Sequence, residues 1–139
     1  MSRYVLDSFA ILAWYRREDG ALHVHQLIES QEHQRWMTMV NLGEVYYRVA
    51  KEAGGSAALE ALDTVERLPI EFIDADRTLT LAAASIKAQF TLAYADCFAA
   101  ALARRLDAAV VTGDPEFQQL EAEGIVAVEW LPHRPRNRR

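Results

Sequence analysis

The sequence predicts a single α/β domain built on a central, mostly parallel sheet with helices on both faces. Its length of 139 residues suits one domain. Short apolar runs alternate with longer stretches of helical pattern, and a crossover of ten or more residues is what joins parallel strands. The short runs are apolar throughout, as strands are when helices cover both faces of their sheet.

Five short runs are the candidate strands of this sheet. Each is rich in the β-branched and apolar side chains that favour buried strands. In chain order they occupy residues 4–6, 36–40, 71–73, 109–112 and 126–130.

Seven stretches between and after these runs are the candidate helices. The clearest case has Leu42, Val45 and Val49 at the spacing of one helix face, and Gly54 and Gly55 then end the pattern. The predicted helices cover residues 8–18, 21–33, 41–53, 57–67, 76–90, 95–106 and 115–122.

The composition excludes several classes of protein. With 51% apolar and 25% charged residues, the chain has ordinary globular usage rather than that of a disordered protein. The single cysteine, Cys97, permits no internal disulfide and suits a reducing, cytoplasmic location. We find no apolar run long enough to span a membrane, and Asp7 comes too early for a signal peptide. Dinucleotide, P-loop and nucleophile-elbow motifs are absent from the sequence.

Charge is unevenly distributed along the chain. The net charge is −5, yet Arg134, Arg136, Arg138 and Arg139 lie in the last six residues without an acid, so residues 1–133 carry −9. We expect a folded domain over residues 1–131 and a mobile, basic tail over residues 132–139. Taken as a bulk property, the acidic balance argues against attraction to nucleic acid or to an anionic membrane.

Acidic side chains follow the predicted strands or begin the helices beside them. Asp7 ends the first strand, Glu44 follows the second and Asp114 the fourth, while Asp96 begins the helix that leads into the fourth. Ligands of such sheets bind at the carboxyl ends of the strands, so these acids are expected to converge. Carboxylates that repel one another favour a hard cation such as Mg²⁺. The histidines do not follow strands, so zinc has no obvious site.

Each of these acids also fits a structural role. Asp7 could cap the next helix, and Asn41 with Glu44 matches the cap and third positions of a capping box. Arg48 follows Glu44 at the i+4 position that favours an ion pair. Asp96 suits the first turn of its helix, although its apolar neighbours would make an unpaired carboxylate costly there. The shared placement of the acids, rather than any one of them, carries the functional interpretation.

Four short motifs in a fixed order resemble those of the PIN-domain ribonucleases, most closely the VapC-type toxins of toxin–antitoxin pairs. The resemblance covers roughly residues 3–131. The motifs are Val-Leu-Asp-Ser at 5–8, Asn-Leu-Gly-Glu-Val at 41–45, Tyr-Ala-Asp-Cys-Phe-Ala-Ala-Ala-Leu-Ala at 94–103 and Val-Val-Thr-Gly-Asp-Pro-Glu-Phe at 110–117.

The resemblance implies a single-domain α/β/α sandwich, PIN-like, with an acidic pocket that binds Mg²⁺ or Mn²⁺. It assigns Ser8 and Thr112 to supporting the first and last acids by hydrogen bonding, and Glu116 to a position that is often a further acid. Gly113 departs slightly from the family, which often has Asn there. The catalytic and metal-binding residues it implies are Asp7, Glu44, Asp96 and Asp114.

The implied activity is Mg²⁺-dependent endoribonuclease cleavage of RNA phosphodiester bonds, by the toxin of a type II toxin–antitoxin system. The expected partners are an RNA of the tRNA or rRNA class, a cognate antitoxin that inhibits the enzyme, and a second copy in a homodimer, with no membrane. Candidate phosphate contacts are Arg16, Arg17, Arg48 and Lys51.

Two alternatives stay open at this point. Residues 71–78 match the strand-DxDx[TV] opening of haloacid-dehalogenase-like phosphatases, in which Asp74 would accept a phosphoryl group. Only 61 residues follow Thr78, too few for the rest of that fold, so we prefer Asp74 or Asp76 as a helix cap. The second alternative is a catalytically silent PIN-like binding module.

Overall fold

The computed structural model describes residues 2–132, which form five β-strands and seven α-helices. The strands are β1 (Arg3–Leu6), β2 (Gln34–Thr38), β3 (Glu71–Ile73), β4 (Ala109–Thr112) and β5 (Ala127–Trp130). The helices are α1 (Ser8–Arg16), α2 (Ala21–Glu29), α3 (Met39–Ala53), α4 (Gly55–Glu66), α5 (Arg77–Gln89), α6 (Tyr94–Leu106) and α7 (Gln118–Ala122).

The five strands form one sheet in the order β3-β2-β1-β4-β5, and every neighbouring pair is parallel. This confirms the predicted α/β class. The chain builds outward from β1 through β2 to β3 and then returns to place β4 on the other side of β1. The direction of winding therefore reverses beside β1, and a crevice opens at the carboxyl ends of β1 and β4.

Helices cover both faces of the sheet and make two apolar cores. Side chains alternate along each strand, so Leu6 and Met37 pack against α1–α4. Val5 and Val110 point to the opposite face and pack against α5–α7. All four of these strand residues are completely buried. Three layers result, as the α/β/α prediction requires.

The junction between β2 and α3 differs from the prediction of a strand over 36–40 and a helix from residue 41. The strand ends at Thr38, and α3 begins at Met39. The Thr38 hydroxyl caps the helix by accepting the Asn41 amide at 3.0 Å. The predicted capping box with Asn41 at the cap is therefore wrong, whereas the predicted end at Gly54 is confirmed by its φ of 93°.

The predicted helices over 21–33 and 115–122 differ most in extent from those observed. α2 ends at Glu29 rather than residue 33, because Ser30 is extended and turns the chain toward β2. The predicted helix over 115–122 is divided into a 3₁₀ turn, Pro115–Phe117, and the short α7. Asp114 caps this turn by accepting the Glu116 amide at 2.9 Å, and Pro115 at the first position has no amide N–H that would need an acceptor.

Two further predictions concern the chain as a whole. Among residues 2–132, no helix is both long enough and apolar enough to cross a membrane. The predicted basic tail over residues 132–139 lies outside the described residues from residue 133 onward.

Candidate active site

The acids selected from the sequence meet at the crevice beside β1. Asp7 follows β1 directly, Asp114 lies two residues beyond β4, Asp96 is in the first turn of α6, and Glu44 is in α3. A cleft of about 220 Å³ opens here, lined by the last three of these acids. The topology thus brings together carboxylates that are up to 107 positions apart in the chain.

Asp7 is completely buried and has one oxygen without a donor. Its Oδ1 accepts the Ala10 amide at 2.9 Å, so the predicted helix cap is real. Its Oδ2 has no hydrogen-bond partner among the described residues. The pKa of Asp7 is raised to about 7, chiefly by burial and to a smaller extent by the charges of Asp114 and Glu44. The nearby Thr112 hydroxyl and the Ala10 amide lower this pKa only in part, and the hydroxyl is not placed to donate to Oδ2.

Asp96 is only 6% exposed, although it lies in the first turn of α6, whose first residue, Tyr94, is exposed. Its pKa is raised to about 8, chiefly by burial and then by the negative charges of Asp7, Asp114 and Glu44. Three neighbouring carboxylates thus oppose its ionisation. The raised pKa agrees with the expectation from the sequence that a charged carboxylate is costly among the apolar neighbours of Asp96.

Glu44 differs from Asp7 because both of its oxygens have donors. The Ser8 hydroxyl donates to Oε1 at 2.8 Å, and Arg48 Nε donates to Oε2 at 3.0 Å. Ser8 therefore supports Glu44, whereas the resemblance assigned it to Asp7. The ion pair with Arg48 holds the glutamate at the wall of the cleft.

The donor set fits a hard divalent cation. Carboxylate oxygens of Asp96, Asp114 and Glu116 lie within 4.8 Å of one another. Asp114 is held in place by donating its amide to Thr112 Oγ1 at 3.0 Å and by accepting the Glu116 amide at 2.9 Å. All of these ligands are oxygens, as Mg²⁺ and Mn²⁺ prefer. A cation bound there would lower the raised pKa of Asp96. It would also give a positive neighbour to Asp7 Oδ2, which has no hydrogen-bond partner among the described residues.

Of the basic residues predicted to contact phosphate, only Arg16 and Arg48 line the cleft. Arg16 Nη2 lies 2.6 Å from Glu52, and Arg48 is paired with Glu44. Both positive charges are thus already balanced by glutamates.

The other two predicted phosphate contacts lie away from the cleft. Arg17 closes α1 in the left-handed conformation, with φ of 57°. Lys51 Nζ lies over the ring of Tyr47, 5.8 Å from its centroid. Neither side chain is among those that line the acidic cleft.

The structure adds to the site two residues that the sequence analysis missed, and it gives Asn41 a role other than the predicted cap. Phe9 and Glu18 line the cleft, and no motif marks Glu18 because it lies in the turn after α1. Asn41 is buried and donates its Nδ2 to the Ala95 carbonyl at 3.2 Å, which ties α3 to the turn before Asp96. Its role is to position the start of α6.

Gly113 is explained by its contact with Phe9. A Cβ at residue 113 would lie 2.5 Å from Phe9 Cε1 and 2.7 Å from Cζ. Any side chain there, including the family's Asn, would push the ring out of its place in the cleft wall. Glycine at position 113 therefore leaves room for the aromatic ring of Phe9.

The carboxylates of the phosphatase alternative lie elsewhere. Asp74 and Asp76 are exposed and follow β3, the edge strand. Asp76 Oδ1 accepts the Leu79 amide at 2.8 Å and so caps α5. This confirms the structural role preferred from the sequence.

A parallel sheet with buried carboxylates at its switch point defines an α/β domain with an acidic site whose oxygen donors suit a cation. The family model of the PIN domain matches residues 4–123, so the chain belongs to the PIN-domain family. No curated protein is significantly similar to it in sequence.

Solved structures share the fold at low sequence identity. VapBC2 from Rickettsia felis, bound to a DNA fragment from its promoter, has a TM-score of 0.72 at 18% identity, covering 94% of this chain and 99% of that one. VapC20 from Mycobacterium tuberculosis, described as a sarcin–ricin loop cleaving toxin, has a TM-score of 0.72 at 18% identity, covering 94% and 100%. DNA-bound VapBC from Salmonella typhimurium has a TM-score of 0.70 at 18% identity, covering 93% and 98%.

Proposed function

We propose that the protein is a divalent-metal-dependent endoribonuclease and the toxin of a type II toxin–antitoxin pair. The observation that carries this proposal is the group of mutually repelling carboxylates at the switch point, including a buried Asp7 oxygen that has no hydrogen-bond partner among residues 2–132. Buried acids of this kind are stable only when a cation or protons neutralise them. Support for RNA as the substrate comes from the Mycobacterium tuberculosis toxin, which cleaves the sarcin–ricin loop.

The residues at the cleft have different proposed roles. Asp7, Asp96 and Asp114, with Glu116 at the open side, would hold Mg²⁺ or alternatively Mn²⁺. When bound, such a cation polarises the scissile phosphate and favours hydroxide over water. Glu44, which Ser8 and Arg48 hold at the wall of the cleft, would complete this catalytic and metal-binding set. Thr112 fixes the backbone of the last acid.

The proposed partners follow from the same assignment. Rickettsia felis VapBC2 and Salmonella typhimurium VapBC are complexes, which supports a cognate antitoxin as the inhibitor of this chain. An RNA of the tRNA or rRNA class, a homodimer and a cytoplasmic location remain predictions. Induced expression should arrest cell growth, and co-expression of a protein encoded directly upstream should relieve the arrest.

The test is cleavage of a structured RNA by the purified protein with Mg²⁺, with chelator, and by the Asp7→Asn variant. We expect cleavage only with Mg²⁺, and a loss of more than about a hundredfold in the variant, since even outer partners of metal ligands cost 10–100-fold. Asp74→Asn is the matched control, because this exposed residue carries the phosphatase alternative. Equal cleavage under all conditions would contradict the nuclease, and wild-type protein that binds RNA without cleaving it would favour the silent module.

A further inference from the structure

Two basic side chains of the described residues line the acidic cleft, and their guanidinium groups form ion pairs in different ways. Arg16 donates through Nη2 to Glu52 at 2.6 Å. Arg48 donates through Nε to Glu44 Oε2 at 3.0 Å. A guanidinium has five N–H donors in a planar fork, and the end formed by Nη1 and Nη2 matches two oxygens of a phosphate. The ion pair of Arg16 uses this end, whereas the ion pair of Arg48 does not.

The ion pair with Glu44 determines where the guanidinium of Arg48 lies. Arg48 follows Glu44 by about one turn of α3, so their bond runs along the surface of the helix. The side chain of Arg48 is 51% exposed and that of Glu44 is 10% exposed, so the guanidinium lies on the solvent side of the carboxylate. Tyr47 also approaches this guanidinium, and the donors that remain can serve a hydroxyl and a phosphate together.

Glu44 connects this guanidinium to the acids that are proposed to hold the cation. It lies near enough to Asp7 and Asp96 for its negative charge to raise the pKa of both. Asp96 and Asp114 line the same cleft as Arg48. An RNA that enters the cleft therefore meets the acids and the guanidinium in one place.

The charges of the cleft favour such a contact. The cleft also contains Glu18, so its acidic side chains outnumber its two arginines. Bound cations would offset the acids, but the RNA backbone still needs positive partners from the protein. The bond to Glu44 restrains Arg48 before RNA binds, so less conformational entropy is lost when the guanidinium contacts a phosphate.

We propose that Arg48 binds a backbone phosphate of the RNA substrate through its Nη groups, while its Nε holds Glu44 at the wall of the cleft. This inference deepens the proposed function and rests on it, because it takes RNA as the ligand of the cleft. Arg48 is then a substrate-binding residue, and its contact with a phosphate carries no base specificity. Loss of the contact should therefore weaken the binding of RNAs of different sequence to the same extent.

The test measures RNA binding in a Glu44→Gln background, in which we expect no cleavage and in which Arg48 has no carboxylate to hold. Arg48→Gln is added to this background, and the anisotropy of two fluorescein-labelled RNA hairpins with different loops is measured with Mg²⁺. We expect the affinity for both hairpins to fall at least about tenfold, because a hydrogen bond to a charged group is lost. The slope of log K against log salt should become shallower by about 1. Arg48→Lys keeps the charge without the fork, so it should keep the slope and lose only part of the affinity.

Arg67→Gln is the matched control for the loss of an arginine from a helical ion pair. Arg67 donates through Nε to Asp63 Oδ2 at 3.1 Å, which is the same i,i+4 arrangement as that of Arg48 with Glu44. Arg67 lies at the end of α4, and neither it nor Asp63 lines the cleft. In the Glu44→Gln background this change should leave RNA affinity within about twofold, since exposed ion pairs contribute little.

Unchanged affinity and salt slope after Arg48→Gln would overturn the inference, because Arg48 would then act only through Glu44. Equal weakening by Arg67→Gln would also overturn it, since the loss would then reflect total charge. If the wild-type protein does not cleave RNA but its RNA binding depends on Arg48, the proposed nuclease fails and the phosphate contact stands. If it cleaves RNA and the dependence on Arg48 is absent, the nuclease stands and the phosphate contact fails.

Discussion

The two edges of the sheet carry cavities that differ in size and in how far their charged side chains are buried. At the amino ends of β1 and β4 lies a groove of about 620 Å³, whose wall includes Arg3, Arg104, Asp107 and Glu129. At the carboxyl ends lies the acidic cleft, which is about 220 Å³. The larger cavity mixes charges of both signs at or near the surface. The smaller one gathers four acidic side chains, and each of its two arginines is already paired with a glutamate.

The difference indicates that a functional site is marked by charged groups that are costly to bury rather than by the size of its cavity. An exposed arginine or aspartate keeps most of its hydration, so its position requires little explanation. Asp7 and Asp96 are 0% and 6% exposed, and burial opposes the ionisation of both. In their ionised form such acids destabilise the fold unless a ligand offsets their charge, which is typical of functional sites.

The strongest test of this comparison places the same substitution at both ends of α6. Asp96→Asn removes a proposed metal ligand, so we expect RNA cleavage to fall more than about a hundredfold. Asp107→Asn changes the exposed C-cap of the same helix, where φ is 53°, and Asn tolerates that conformation well. Its activity should stay within about twofold of wild type. Single-turnover cleavage with Mg²⁺ measures both.

Binding of the metal separates these variants independently of cleavage. Mg²⁺ should raise the thermal midpoint of the wild-type protein and of Asp107→Asn, but much less that of Asp96→Asn. Equal stabilisation of all three proteins would contradict the assignment of Asp96 as a ligand.

The sequence predicted the elements and the acids because both follow from local patterns. The parallel sheet follows from the alternation of short apolar runs with helices, and β3 and β4 have the predicted bounds. Asp7, Asp96 and Asp114 stand out because they adjoin strand ends or begin a helix. Their convergence needs only the rule that parallel strands end at one edge.

Other features could not be predicted because they depend on packing between distant residues. Thr38 and Asn41 are both good capping residues, and the apolar run continues past the end of the strand. The sequence alone therefore does not indicate which of them precedes α3. Ser8 can donate to either of two acids, and only the fold brings it to Glu44. The contact of Phe9 with Gly113 likewise exists only in three dimensions.

The second prediction concerns the pH dependence of stability without metal. The folded-state pKa values of Asp7 and Asp96, about 7 and 8, exceed the ordinary value of 3.8. The folded state therefore keeps its protons to higher pH, so this stability is complete below pH 4 and is lost as pH rises through 7 and 8. Between the unfolded and folded pKa values, each carboxyl lowers the free energy of unfolding by on the order of 1.4 kcal/mol per pH unit.

Urea unfolding at pH 5 and pH 8 in chelator measures this loss as a fall in the midpoint. Asp96→Asn should reduce the fall, and Mg²⁺ at pH 8 should offset it because the ionised acids then have a partner. Asp107→Asn should leave the fall unchanged. The comparison of the two edges fails if wild type and Asp96→Asn show the same pH dependence.

The smallest expected effects come from alanine at one glycine on each edge. Gly113→Ala forces Cβ against the Phe9 ring at 2.5 Å and should cost about 1–3 kcal/mol of unfolding free energy. Gly124→Ala, at the amino-end groove, meets no atom within 4 Å but has a φ of 72°, so strain of about 1–2 kcal/mol is expected.

Gly113→Ala and Gly124→Ala should lose similar stability but differ in activity. Displacing Phe9 alters the wall of the acidic cleft, so Gly113→Ala should lower RNA cleavage several-fold at a temperature where the protein is fully folded. Gly124→Ala should retain wild-type cleavage, because its groove holds none of the proposed metal ligands. Equal activity losses in the two variants would mean that general destabilisation, rather than the shape of the cleft, accounts for them.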